Sequence, residues 1–167
     1  LKIYSTLGRG STFKVLLPAG KGLAQLTSKP EPGVAALQGG GTILVIDDEP
    51  IVRQVAKATL ERFGYSVRLC EDGPPAIALY RSIASDVSLI LLDMSMPLMS
   101  GEETFRHLRT IRPEAKVILS SGYNEVEAIS RFAGKGLAGF IQKPYTGLRL
   151  AETVFAVLRK SVVEPTS

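Results

Sequence analysis

From Thr42 onward the chain alternates short, almost unbroken apolar runs with helix-length segments that are apolar along one side only. The runs are TILVI at Thr42–Ile46, YSVRLC at Tyr65–Cys70, VSLILL at Val87–Leu92, KVIL at Lys116–Leu119 and GFI at Gly139–Ile141. A strand whose both faces are apolar must be covered on both sides, and helices supplied by the intervening chain do this in a parallel sheet. The spacing predicts helices over Pro50–Phe63, Pro74–Ser82, Glu103–Ile111, Glu125–Gly134 and Leu148–Lys160. In the first of these Val52, Val55, Ala56, Leu60 and Phe63 share one face, Pro50 suits the first turn, and Gly64 is placed to stop the helix. Five βα units follow in order, and VSLILL, the most apolar strand, belongs at the centre.

Charge divides the chain unevenly. The net charge is +4 over 167 residues, yet residues 1–41 hold five Lys/Arg against one Asp/Glu, whereas residues 42–167 hold fifteen of each. The folded body therefore carries no basic stripe of the kind that tracks a phosphate backbone, and no nucleic-acid partner is expected. Cys70 is the one cysteine, which excludes an intramolecular disulfide or a Cys-based zinc site and fits a reducing compartment; the cytoplasm is the expected location. Uncharged stretches such as Gly33–Ile46 are too short and too glycine-rich to span a bilayer, so no membrane contact is expected of this segment, which leaves room for an anchor elsewhere in a parent chain. Residues 18–41, rich in Pro, Gly and Ala, read as a linker. It separates a short piece, residues 1–17, from the body at 42–160, with 161–167 as a tail. The chain begins at Leu, as a piece of a longer protein would.

In an open parallel sheet, ligands bind beyond the carboxyl ends of the strands. There the first strand gives Asp47 and Asp48, the third Asp93, the fourth Ser120 and Ser121, and the fifth Lys143 two residues on. Carboxylates gathered this closely repel unless a cation compensates, and magnesium, which takes oxygen ligands and pairs with phosphate, is the natural one. A carboxylate beside such an ion can attack phosphorus and form an aspartyl phosphate. An ammonium and a hydroxyl can then steady the phosphoryl oxygens.

Residues 42–160 resemble a response-regulator receiver domain. The resemblance rests on ILVIDDEP at 43–50, LILLDMSMPLMSG at 89–101, VILSSG at 117–122 and GFIQKPY at 139–145, in the family's order. It implies a doubly wound, flavodoxin-like (βα)5 fold with strand order 2-1-3-4-5. It implies phosphorylation of Asp93 by a phosphohistidine donor, a kinase or phosphotransfer domain. Magnesium would be held by Asp48 and Asp93 directly, by Asp47 through water, and by the backbone carbonyl of Ser95. Lys143 matches the lysine that contacts the phosphoryl group, and its bond to Pro144 is often cis in the family. Ser120 matches the switch hydroxyl, with Ser121 one register away from the same role, and Phe140 matches the switch aromatic, a position that an ordinary core Phe would also fill. A phosphoryl group that draws in Ser120 would free space for the Phe140 ring and bias a partner surface made by the fourth helix, the fifth strand and the fifth helix of the body.

Residues 3–18, IYSTLGRGSTFKVLLP, look like the end of a histidine-kinase ATP-binding domain, without its nucleotide-binding helices or phosphorylated-histidine helix; a bare hairpin is the plainer reading. Together the two resemblances imply the receiver of a hybrid sensor histidine kinase. Two other readings remain. A stand-alone or degenerate receiver would act as an interaction module without phosphorylation. A magnesium-dependent aspartyl phosphohydrolase would want Asp-x-Asp after the first strand, where this chain has Asp47-Asp48-Glu49-Pro50. His107, in RHLR, reads as a surface residue and not as a relay histidine.

Overall fold

The computed structural model describes residues 2–6, 10–14, 37–122, 132 and 134–159. β1 (Lys2–Thr6) and β2 (Gly10–Lys14) pair antiparallel, from Lys2 opposite Lys14 to Thr6 opposite Gly10. The body begins at β3 (Thr42–Ile46), followed by α1 (Pro50–Arg62), β4 (Ser66–Cys70), α2 (Gly73–Ile83), β5 (Val87–Asp93), α3 (Gly101–Ile111), β6 (Val117–Ser121), β7 (Gly139–Gln142) and α4 (Gly147–Arg159). The helix expected at Glu125–Gly134 and most of the linker and tail lie outside the described residues.

Strands β3 to β7 form one parallel sheet in the order β4-β3-β5-β6-β7. Counted from the first strand of the body this is 2-1-3-4-5, the doubly wound, flavodoxin-like order, with β5 in the middle. The sheet has two apolar faces because side chains alternate along each strand. Leu44, Ile46, Ile90, Leu92, Val117 and Leu119 pack with Tyr80, Phe105 and Leu108 of α2 and α3. Ile43, Val45, Leu89, Leu91, Ile118 and Ile141 pack with Ala56 and Leu60 of α1 and with Leu150 and Val154 of α4. Register is thereby fixed: a slip of one residue would exchange the two sets.

The element ends explain where observed and expected bounds differ. α2 begins at Gly73, ahead of Pro74, because Asp72 caps it, its carboxylate accepting from the Gly73 N–H at 2.7 Å. α3 begins two residues earlier than expected because Ser100 caps it, accepting from the Glu103 N–H at 3.2 Å. After α1, Gly64 takes φ +90°, a left-handed conformation that favours glycine, and its N–H bonds the Glu61 carbonyl at 3.0 Å. β6 extends through Ser120 and Ser121, so these serines stand inside the sheet and not beyond it. Of the expected linker, residues 37–41 lie against the body: Leu37 packs beside the α1/α4 core, and the Gly39 N–H bonds the Phe63 carbonyl at 2.9 Å.

Among the described glycines, the closest approach to backbone atoms joins α3 to the end of β5. A Cβ on Gly101 would stand 2.4 Å from the Asp93 carbonyl oxygen and 2.7 Å from the Met94 Cα, both backbone atoms that cannot swing aside. Gly101→Ala should therefore lower stability by about 1–3 kcal/mol, the usual range for an overpacked site. In urea denaturation this appears as a lower midpoint with an unchanged slope; an unchanged midpoint would contradict the packing described.

Candidate functional site

Alternation along the strands brings the polar residues together. On the α1/α4 face the sequence of side chains is Ile43, Val45, then Asp47; Leu89, Leu91, then Asp93; Ile118, then Ser120; Ile141, then Lys143. Each polar group continues, at the carboxyl end, the same face that is apolar below it. Backbone hydrogen bonds carry the ladder past the strand ends: Asp47 N–H to the Cys70 carbonyl at 3.2 Å, Met94 N–H to Ser120 at 3.0 Å, and Lys143 N–H to Ser121 at 2.8 Å. In register, Asp93 stands beside Ser120. Ser121 alternates to the opposite face of β6.

Asp47, Asp48 and Asp93 each place a carboxylate oxygen within 4.8 Å of the others. Asp47 and Asp93 are buried and Asp48 is half-buried. The Lys143 ammonium donates to Asp47 Oδ2 at 2.7 Å and stands 3.0 Å from Asp93 Oδ1. Asp47 Oδ1 accepts from the Glu49 N–H at 2.9 Å, and the Asp47 carbonyl accepts from the Arg53 guanidinium. Asp47 is thus held at both oxygens by the protein, whereas Asp48 has no hydrogen bond among the described residues. The Lys143–Pro144 bond is cis.

Burial raises the Asp93 carboxyl above the usual carboxylate range; the hydrogen bond and charge of Lys143 pull it back, while Asp47 and Asp48 push it further up. Burial alone would depress the Lys143 ammonium, but its hydrogen bonds to Asp47 and Asp93 and their charges outweigh this and hold it well above an ordinary lysine. A raised lysine stabilises the fold at every pH below its unfolded value and loses that contribution as pH rises through its folded value, in strong alkali. A raised carboxyl acts in the other sense: ionising Asp93 lowers stability as pH rises past the ordinary carboxylate range.

The donor set fits a hard divalent cation. Three ionised carboxylates against one ammonium leave two negative charges, and all donors are oxygens close enough together to share one ion. Ser95, two residues past Asp93, is exposed in the following loop. Ser120 is 1% exposed and its Oγ has no hydrogen-bond partner among the described residues. Phe140 is half-buried against the α2/α3 core, on the other face from Lys143.

Two residues of the site carried no role in the sequence reading. Asp72, 2% exposed, accepts not only from Gly73 but from the Leu98 N–H at 3.1 Å and the Met99 N–H at 3.1 Å, and so ties the loop after Asp93 to the start of α2. An Asp ahead of Gly-Pro-Pro signals a helix cap; its reach across 26 residues to the loop has no local signal. Tyr145 is the other, a buried hydroxyl in the loop after β7.

Residues 43–155 match the family model described as response regulator receiver domain. The chain is 31% identical over 166 residues to the sensor kinase CckA of Brucella abortus, an alignment covering 93% of this chain and 17% of that protein. It is 27% identical over 116 residues to the chemotaxis protein CheY of Thermotoga maritima, covering 69% of this chain and 95% of the other. Among solved structures, a CheY-like receiver from Methanospirillum hungatei aligns with a TM-score of 0.66 at 26% identity, covering 74% of this chain and 98% of that one. The chain belongs to the response-regulator receiver family of two-component signalling. Receivers accept phosphate from histidine kinases or phosphotransfer partners and typically bind magnesium at an acidic pocket. The chain spans about a sixth of the CckA relative.

If one ammonium offsets part of the carboxylate charge, removing it should expose the deficit. Lys143→Ala should lower the melting temperature measured in chelator by roughly 10 °C, about 2–3 kcal/mol for the lost charge-assisted bonds. Added magnesium should then raise it further than it raises wild type. Equal magnesium shifts in the two proteins would contradict this electrostatic account.

Proposed function

We propose that the chain is the phosphoacceptor receiver of a hybrid sensor histidine kinase, taking a phosphoryl group from phosphohistidine onto Asp93. The observation that carries the reading is the convergence, on one sheet edge, of three carboxylates, the Lys143 ammonium and the unpartnered Ser120 hydroxyl. One Asp93 oxygen attacks phosphorus in line; the P–N bond breaks and its electron pair goes to the nitrogen of a donor imidazole protonated at its other nitrogen, which leaves as a neutral ring. Asp48 and Asp93, with Asp47 through water and the Ser95 carbonyl, would hold a magnesium ion, which would supply charge neutralisation for the phosphoryl oxygens. Lys143 exchanges part of its hold on Asp93 for a phosphoryl oxygen, and Ser120 Oγ–H donates to another. Ser120 and Phe140 then act as the switch, the hydroxyl's movement making room for the ring and altering the surface shared by β7 and α4.

The hybrid context draws on the amino-terminal segment. We read residues 1–17 as the end of a histidine-kinase ATP-binding domain, 18–41 as linker, 42–160 as receiver and 161–167 as tail. The 93% coverage in the CckA alignment leaves about a dozen residues of this chain unmatched, fewer than the 41 before Thr42, so the similarity reaches into that segment. A second sensor kinase, AruS of Pseudomonas aeruginosa, is 32% identical over 146 residues. The antiparallel pairing of β1 with β2 agrees with the closing strands of such a domain and equally with a lone hairpin. The coding sequence upstream of Leu1 tests this part: a kinase domain with its histidine supports it, a start codon immediately before Leu1 refutes it. No helix among the described residues is long and apolar enough to cross a membrane. A cytoplasmic setting, with no nucleic-acid partner, fits the single cysteine and the neutral body.

Incubated with acetyl phosphate and magnesium, the wild-type chain should gain one phosphoryl group by intact mass, and Asp93→Asn should gain none. Equal labelling of Asp93→Asn would sink the assignment. Rapid multiple turnover of phosphate esters would instead favour a phosphohydrolase.

A further inference from the structure

Among the described residues, three buried side-chain polar atoms have no hydrogen-bond partner: Thr104 Oγ1, Ser120 Oγ and the Tyr145 hydroxyl. Thr104 is on α3, its hydroxyl packed against Gly73 at the start of α2. The other two lie together. Tyr145 follows Lys143 and Pro144 in the loop whose Lys143 N–H is bonded to β6 at Ser121, next to Ser120. Tyr145 packs against the α1/α4-face core that Ser120 and Lys143 continue at the strand ends, and its phenol, raised by burial, is drawn back by the Ser120 hydroxyl and the Lys143 ammonium and pushed up by Asp47 and Asp93. Neither hydroxyl, however, meets hydrogen-bond geometry with any partner.

Leaving a buried hydroxyl unpaired is costly, and two cases beside one site call for a missing group. Two hydroxyls contain two donors, and between them they can make only one bond to each other. One acceptor from outside completes both: Tyr145 O–H donates to Ser120 Oγ, and Ser120 O–H donates to the incoming acceptor. A phosphoryl oxygen on Asp93, the register neighbour of Ser120, is an acceptor without a proton of its own to place.

We infer that Tyr145 is a positioning residue for the phosphorylated state, its hydroxyl donating to Ser120 Oγ and aiming the Ser120 proton at the phosphoryl oxygen. The inference rests on the phosphoacceptor reading of Asp93. Tyr145 touches neither the phosphoryl group nor the metal; it acts through Ser120. The chain polarises along its length, each O–H made a better donor by the bond it accepts. Tyr145 also lines an apolar groove of about 420 Å³ with Ile51, Val52, Val55, Lys143 and Pro144, while its hydroxyl is buried.

The test is a double-mutant cycle on the 167-residue chain, with acetyl phosphate and magnesium as the probe and the steady-state phosphorylated fraction as the readout. Tyr145→Phe removes one oxygen and should lower the ratio of phosphorylated to unphosphorylated protein about fivefold, the worth of one neutral hydrogen bond. In a Ser120→Ala background the same substitution should change the ratio less than twofold. Magnesium affinity by calorimetry, which a general disturbance of the site would weaken, should match wild type in Tyr145→Phe. A Tyr145→Phe ratio equal to wild type, or an undiminished effect in Ser120→Ala, would overturn the inference while leaving Asp93 as acceptor. Failure of wild type to label at all would overturn the underlying reading.

Discussion

A single ammonium holds the edge of this sheet together. Lys143 stands between the buried carboxylates of Asp47 and Asp93, at 2.7 and 3.0 Å, with Asp48 alongside. A buried carboxylate without a cation is costly, and two in contact would force one to take up a proton. The ammonium makes the cluster tolerable without saturating it. Two negative charges remain uncompensated, which suits the edge to a divalent cation.

The scaffold serves that arrangement at each point. Apolar side chains lock strand register, and register decides which face Asp93, Ser120 and Lys143 continue. Gly101 lets α3 close directly on the backbone of Asp93, and Asp72 ties the loop beyond it to α2. On the reverse face Phe140 is half-buried against the α2/α3 core, one strand from Ser120.

Much of this was legible in the sequence because strand and helix periods are local properties. The five apolar runs, their order and the polar residues just past them could be read directly, and Asp47, Asp48, Asp93, Ser120 and Lys143 do meet at one edge. The alternation that separates Ser120 from Ser121 was also present, but using it required knowing that β6 runs on through both serines. Asp72 was hidden for a different reason: its cap to Gly73 is local, while its bonds to Leu98 and Met99 depend on how two distant loops meet. The Tyr145 hydroxyl was hidden because an aromatic after Lys-Pro reads as packing, and only the fold shows its oxygen buried beside the site.

With three carboxylates against one ammonium, the acidic edge is two charges short of neutrality, and uptake of one divalent ion would correct this. Calorimetric titration of magnesium into the 167-residue chain at neutral pH, beside Asp48→Asn, tests it most directly, because Asp48 is the carboxylate not already held by the protein. The expected result is one ion bound per chain in wild type and binding weakened at least tenfold in Asp48→Asn, about 1.4 kcal/mol. Wild-type protein that binds no magnesium, or Asp48→Asn that binds it equally well, would contradict the account.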